Sequence, residues 1–129
     1  MNKLIFTAAA AASAVLFAGC DFVKYEHPVT YDERIAIPAV NSMSTQQAID
    51  YVQNIMNNPV ADSVHGQKNA KFVCQNATSV DYKRHYRTDF YFVEAKSNKQ
   101  VISSFYVKDK ATAEKVAAAI MRANKALNK

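Results

Sequence analysis

Residues 80–95 read VDYKRHYRTDFYFVEA, and the alternation within them decides the fold. Val80, Tyr82, Tyr86, Phe90 and Phe92 share one parity, whereas Asp81, Lys83, His85, Arg87 and Asp89 share the other. Successive side chains of a strand point to opposite faces, so the stretch predicts a half-buried strand with one apolar and one wet face. Residues 71–75 and 100–107 are also rich in β-branched and aromatic side chains. Polar turns at 76–79 and 97–99 separate the three stretches, which gives an antiparallel meander. Nothing inside 82–95 is a strong turn signal, so it reads as one long, bent strand.

Two amphipathic helices flank this sheet. Ser44-Thr45-Gln46-Gln47 fits a capping box, in which a serine side chain and a glutamine three residues on satisfy each other's backbone donors. Ala48, Ile49, Val52, Ile55 and Met56 then recur at intervals of three and four, which lines them along one face. Asn57-Asn58-Pro59 closes that helix, since proline brings no amide to continue it. The second helix opens at Asp109 as N-cap and runs to about Leu127, with Ala113, Val116, Ala117, Ile120, Met121, Asn124 and Leu127 turned inward. Residues 60–69 read as a loop in which Gly66, the one glycine after the leader, marks a positive φ. Residues 34–40 read as a short extended piece, and Pro38 restricts it to a sheet edge. The expectation is an α+β fold: a two-layer domain, chain order β-α-β-β-β-α, with a three- to four-stranded mainly antiparallel sheet covered on one face by two helices.

The chain begins Met-Asn-Lys, continues through fourteen uncharged residues from Leu4 to Phe17, and reaches Ala18-Gly19-Cys20. A positive start, an apolar run and small residues before a cut are the three parts of a secretory signal. As a helix that run would cover only about 21 Å of a hydrocarbon core about 30 Å thick, so it is a leader and not a span. Leu16-Phe17-Ala18-Gly19-Cys20 resembles the lipobox of bacterial lipoproteins, with Phe17 where that family usually has leucine. The resemblance covers residues 1–20 alone. It implies cleavage after Gly19, diacylglycerol on the Cys20 thiol and an N-acyl chain on the new amino terminus. It also implies a periplasm-facing domain tied to the cell envelope. Asp21 resembles the signal that retains such lipoproteins at the inner membrane. Residues 20–33 are then a lipidated start and tether, and 34–129 a single domain.

Composition fits this plan. Sixteen Lys and Arg against eleven Asp and Glu give a net charge of +5, and loss of Lys3 with the leader leaves fifteen against eleven, or +4. Such a modest surplus, scattered over several elements, is a solvated surface that also favours anionic envelope surfaces. If Cys20 carries lipid, Cys74 has no intrachain partner, and the core must hold without a disulfide. That is feasible for a chain of about a hundred residues.

The chemistry-bearing side chains suit recognition sooner than catalysis. His27, His65 and His85 fall in tether, loop and strand with no recognised metal spacing, so neither a metal nor a cofactor is expected beyond the lipid on Cys20. Cys74 shares a parity with Phe72 and reads as a buried, inert thiol; an enzyme built on Cys74 is the less favoured alternative. The residues proposed to bind a partner are Lys83, His85 and Arg87, the densest basic run, with Tyr91 and Tyr106 opposite in parity to Phe90 and Phe105. Cross-strand ion pairing is the plain alternative for the basic residues. An exported chain does not meet nucleic acid, so the expected partners are the membrane, through the lipid anchor, and an envelope protein. The leading expectation is a non-enzymatic interaction module, similar in plan to small lipoproteins that assist secretion or conjugation machines or that block entry of phage or plasmid. An inhibitor of an envelope-directed enzyme such as a lysozyme is the alternative.

Overall fold

The structure is a computed structural model that describes residues 25–60 and 64–129; the leader, Cys20 and Asp21 lie outside the described residues. In chain order the elements are β1 (Val29–Thr30), α1 (Pro38–Asn41), α2 (Thr45–Asn57), β2 (His65–Gly66), α3 (Ala70–Asn76), β3 (Ser79–Arg84), β4 (Tyr91–Ser97), β5 (Gln100–Val107) and α4 (Lys110–Leu127). The strands form an open antiparallel sheet in the order β1-β3-β4-β5-β2, so the α+β class holds.

Both helix starts are where their caps place them. The Gln47 amide donates to Ser44 Oγ at 3.1 Å while the Ser44 amide donates to Gln47 Oε1 at 2.8 Å. The Thr112 amide donates to Asp109 Oδ1 at 2.8 Å, and the Thr112 side chain, followed by this amide, holds the Asp109 carboxyl below its usual range. Helix α4 lies on β3, β4 and β5, and α2 and α3 pack against α4. Ala113, Val116, Ala117, Ala118, Ala119, Ile120, Met121 and Ala123 are therefore buried around most of its circumference, and the alanines let neighbours approach closely. The core is completed from the sheet by Val80, Tyr82, Val93, Ala95, Phe105 and Val107.

Three expectations are corrected. Residues 71–75 are helical, not extended: the Phe72 amide donates to Asn69 Oδ1, which caps α3. Ala70, Val73, Cys74 and Ala77 are buried at helical spacing while Phe72 is 43% exposed, so periodicity outweighs the β-rich composition. The stretch 82–95 is two strands, because residues 85–90 turn: Thr88 Oγ1 donates to His85 O, the Phe90 amide donates to Thr88 Oγ1, and Arg87 takes φ 63°. That turn reverses the parity. On β3, Val80 and Tyr82 face the helices; on β4, Tyr91, Val93 and Ala95 do, so Phe92 falls on the other face and Phe90 is exposed. Finally, Pro38 starts helix α1 instead of sitting in an edge strand, because its missing amide costs nothing in a first helical turn. The edge strand lies earlier, with Val29 and Thr30 opposite Tyr82 and Asp81 and with Tyr25 bridged to His85. From Tyr25 onward, the segment read as a tether runs along the sheet.

Gly66 has φ 82°, and a Cβ there would lie 2.5 Å from the Ile102 carbonyl oxygen. The positive φ and the close approach to β5 both require glycine.

Candidate functional site

The helices cover one face of the sheet. The other face carries Asp81, Lys83 and His85 from β3 and the residue after it, Phe92, Glu94 and Lys96 from β4, and Ser104 and Tyr106 from β5. Its charges are paired across strands. Asp81 and Glu94 stand directly opposite, a repulsive arrangement, and each is relieved by a diagonal lysine: Lys96 Nζ is 2.7 Å from Asp81, and Lys83 Nζ is 3.6 Å from Glu94. Thr30 Oγ1 also donates to Asp81 at 2.7 Å. The Asp81 contact raises the Lys96 ammonium above its ordinary value.

Beside these pairs lies a cluster of rings built around Tyr25. Its ring stacks on Phe92 at 5.5 Å between centroids and meets His85 edge-on, also at 5.5 Å. Tyr106 packs on Phe92 at 4.9 Å and stands 6.2 Å from His85. The Tyr25 and Tyr106 hydroxyls are hydrogen-bonded to each other, and the Lys83 ammonium sits 4.5 Å from the centre of the Tyr25 ring. Burial, followed by the bond to Tyr106, pushes the Tyr25 hydroxyl well above the usual phenolic range. Among the described residues the one buried side-chain polar atom with no hydrogen-bond partner is His85 Nδ1. The ensemble offers π faces and an ammonium, groups that can take part in recognition.

Of the residues singled out in the sequence, Lys83, His85 and Tyr106 come together here. Arg87 stands at the tip of the β3–β4 turn, its guanidinium 5.2 Å from the centre of the Tyr86 ring. Tyr91 lies on the opposite, helix-covered face, 6.3 Å from Tyr82. Tyr25, Phe92 and Glu94 were missed: Phe92 was assigned to the wrong face by the unseen turn, and no local signal ties Tyr25 to a strand 60 residues later. Also unforeseen is a cleft of about 510 Å³ between residues 31–45 and the second half of α4, rimmed by Arg34, Arg122, Lys125 and Lys129. Three of these cations are already engaged, Arg34 with Asp32 at 2.7 Å, Lys125 with Glu33 at 3.0 Å and Arg122, whose Nε donates to Met43 O at 3.0 Å.

Cys74 is buried on α3, and burial pushes its thiol up to about 12. A thiol so held is protonated at neutral pH and poorly nucleophilic. Among the described residues no group of three or more His, Cys, Asp and Glu side chains is arranged to hold a metal, and no helix is long and apolar enough to cross a membrane. Comparison with protein-family models, curated proteins and solved structures finds no match.

Proposed function

We propose that the chain is a bacterial envelope lipoprotein, anchored by acyl groups on Cys20, whose helix-free sheet face docks an envelope protein. In this reading it acts by binding and not by catalysis, as an accessory of a secretion or conjugation machine or as an entry-exclusion factor. The observation that carries the reading is the ring cluster on that face. Tyr25, His85, Phe92 and Tyr106 pack on one another, with the Lys83 ammonium 4.5 Å from the centre of the Tyr25 ring and no helix packed over them among the described residues. Aromatic side chains of this kind are what protein interfaces concentrate. The proposed acyl anchor suits such a role, because two or three chains hold a domain durably at a bilayer and raise the local concentration of a membrane partner.

The test is photocrosslinking in the source bacterium with the full chain, a benzophenone amino acid replacing Tyr106 in one strain and the exposed Phe72 in another. A discrete protein adduct from position 106 that is absent from position 72 and lost in Cys20→Ser supports the proposal. No adduct from position 106, or the same adducts from both, refutes it. Mass spectrometry of the amino-terminal peptide checks the acyl groups independently.

A further inference from the structure

The path of the chain into the sheet dictates which end of the domain meets the bilayer. Tyr25 is bridged to His85, and the Glu26 amide donates to Arg84 O at 2.9 Å while the Glu26 carboxylate pairs with Arg84 at 2.6 Å. The segment then runs antiparallel to β3, with Val29 opposite Tyr82 and Thr30 opposite Asp81. It therefore enters at the Arg84 end of β3 and travels toward the Ser79 end. Cys20 is five steps of the chain before Tyr25, and a fully extended chain advances at most about 3.6 Å per residue, so Cys20 lies within roughly 18 Å of that entry point.

The same end of the sheet carries the β3–β4 turn, the start of β4, the end of β5 and the start of α4, since Arg84 is paired with Tyr91 and Tyr91 with Val107. Its surface is distinctive. Tyr86 is 45% exposed and Phe90 38% exposed, with Arg87 exposed between them at a positive φ. Lys108 and Lys110 are exposed just beyond β5. Against these cations stand Asp89 on the turn and Asp109, whose carboxylate caps α4; Glu26 is neutralised by Arg84. An amphipathic tyrosine and an apolar phenylalanine beside a small excess of cations suit the headgroup layer of an anionic membrane and the acyl boundary beneath it.

Resting on the Cys20 anchor of the proposed function, we infer that the turn at residues 85–90 is a membrane-contact surface: Tyr86, Arg87 and Phe90 seat on anionic phospholipid headgroups, while the Ser97–Gln100 end and the cleft beside α4 face away. A patch of three side chains would hold a vesicle weakly by itself. Tied within roughly 18 Å of the bilayer it needs only a small affinity, because the tether supplies a high effective concentration.

The chain contains no tryptophan, so a single introduced one reports its own surroundings. The lipidated full chain, with acylation of Cys20 verified by mass spectrometry, is reconstituted into vesicles of phosphatidylethanolamine and phosphatidylglycerol as Phe90→Trp, Tyr86→Trp or Phe72→Trp. Phe72 is the control, being exposed on α3, whose Cys74 carbonyl meets Asn124 in the far half of α4. Tryptophan at 90 and at 86 is expected to shift to the blue, with about threefold less collisional quenching by acrylamide than the same protein in detergent, whereas position 72 is unchanged. Adding Arg87→Glu, or replacing the anionic lipid with phosphatidylcholine, is expected to halve the protection or more.

Unprotected tryptophan at both 86 and 90 in acylated protein overturns the inference and leaves the anchor standing. Equal protection at 72 overturns the orientation, and equal protection in phosphatidylcholine overturns the choice of anionic lipid. An unmodified Cys20 removes the anchor and the inference with it. Two reporter positions on the turn guard against one variant failing to fold.

Discussion

Replacing Tyr25 by alanine should release the amino-terminal strap from the sheet without unfolding the domain. Tyr25 stacks on Phe92, meets His85 edge-on and lies under the Lys83 ammonium at 4.5 Å. Two such ring pairs contribute about 0.5–1.5 kcal/mol each, and a partly exposed cation–π contact about 0.5–1 kcal/mol more. With about 1 kcal/mol for the hydroxyl bond to Tyr106 the total lost is about 3.5 kcal/mol, and at roughly 1.4 kcal/mol per decade the strap should open about 300-fold more often. Two amides read this directly: Glu26 N–H, bonded to Arg84 O at 2.9 Å, and Tyr31 N–H, bonded to Val80 O at 2.8 Å. Hydrogen exchange followed by NMR on the full chain should show the Glu26 amide accelerating by that factor and Tyr31 by less. Amides of Val93 and Phe105, deep in the sheet, should hold their rates. Tyr25→Phe keeps the rings and forfeits only the bond to Tyr106, so its effect should be about 1 kcal/mol, or roughly fivefold. Less than about threefold acceleration in Tyr25→Ala, equivalent to only about 0.65 kcal/mol, would refute the energetics. Equal acceleration at Val93 and Phe105 would refute the separability of the strap.

Three further outcomes follow from the same geometry. Gly66→Ala forces a Cβ to within 2.5 Å of Ile102 O at φ 82°, so after allowing for the stiffer unfolded chain it should cost about 2 kcal/mol, read in a thermal melt as a Tm lower by roughly 10 °C. The Cys74 thiol, buried and pushed up to about 12, should resist alkylation by iodoacetamide at pH 8 in the folded protein and react at once in denaturant; rapid labelling of the native chain would contradict its burial. Tyr82 is raised from 10.0 to about 12, mainly by burial and then by the Glu114 carboxylate, so the neutral phenol is the form the fold favours. Its contribution is intact below pH 10 and lost as pH rises toward 12, so Tyr82→Phe should withstand alkaline unfolding followed by circular dichroism further into that window than the parent chain.

What the sequence determined by itself is what neighbours within four residues determine. Ser44 with Gln47 and Asp109 with Thr112 fix the starts of α2 and α4, the spacing of Ala48, Ile49, Val52 and Met56 fixes a buried face, and Gly66 announces its own φ. The basic and aromatic makeup of the candidate site was legible in the same way, as Lys83, His85 and Tyr106. Which face each side chain occupies was decided only by the tertiary structure. A turn at residues 85–90, built from the Thr88 hydroxyl and a left-handed Arg87 without glycine or proline, reversed the parity of everything after it, sending Phe92 outward and Tyr91 inward. Tyr25 joined the site through pairing with a strand 60 residues later, and α3 took its shape because Val73 and Cys74 had α4 to pack against. Such choices depend on burial across the whole molecule, a term that no local window contains.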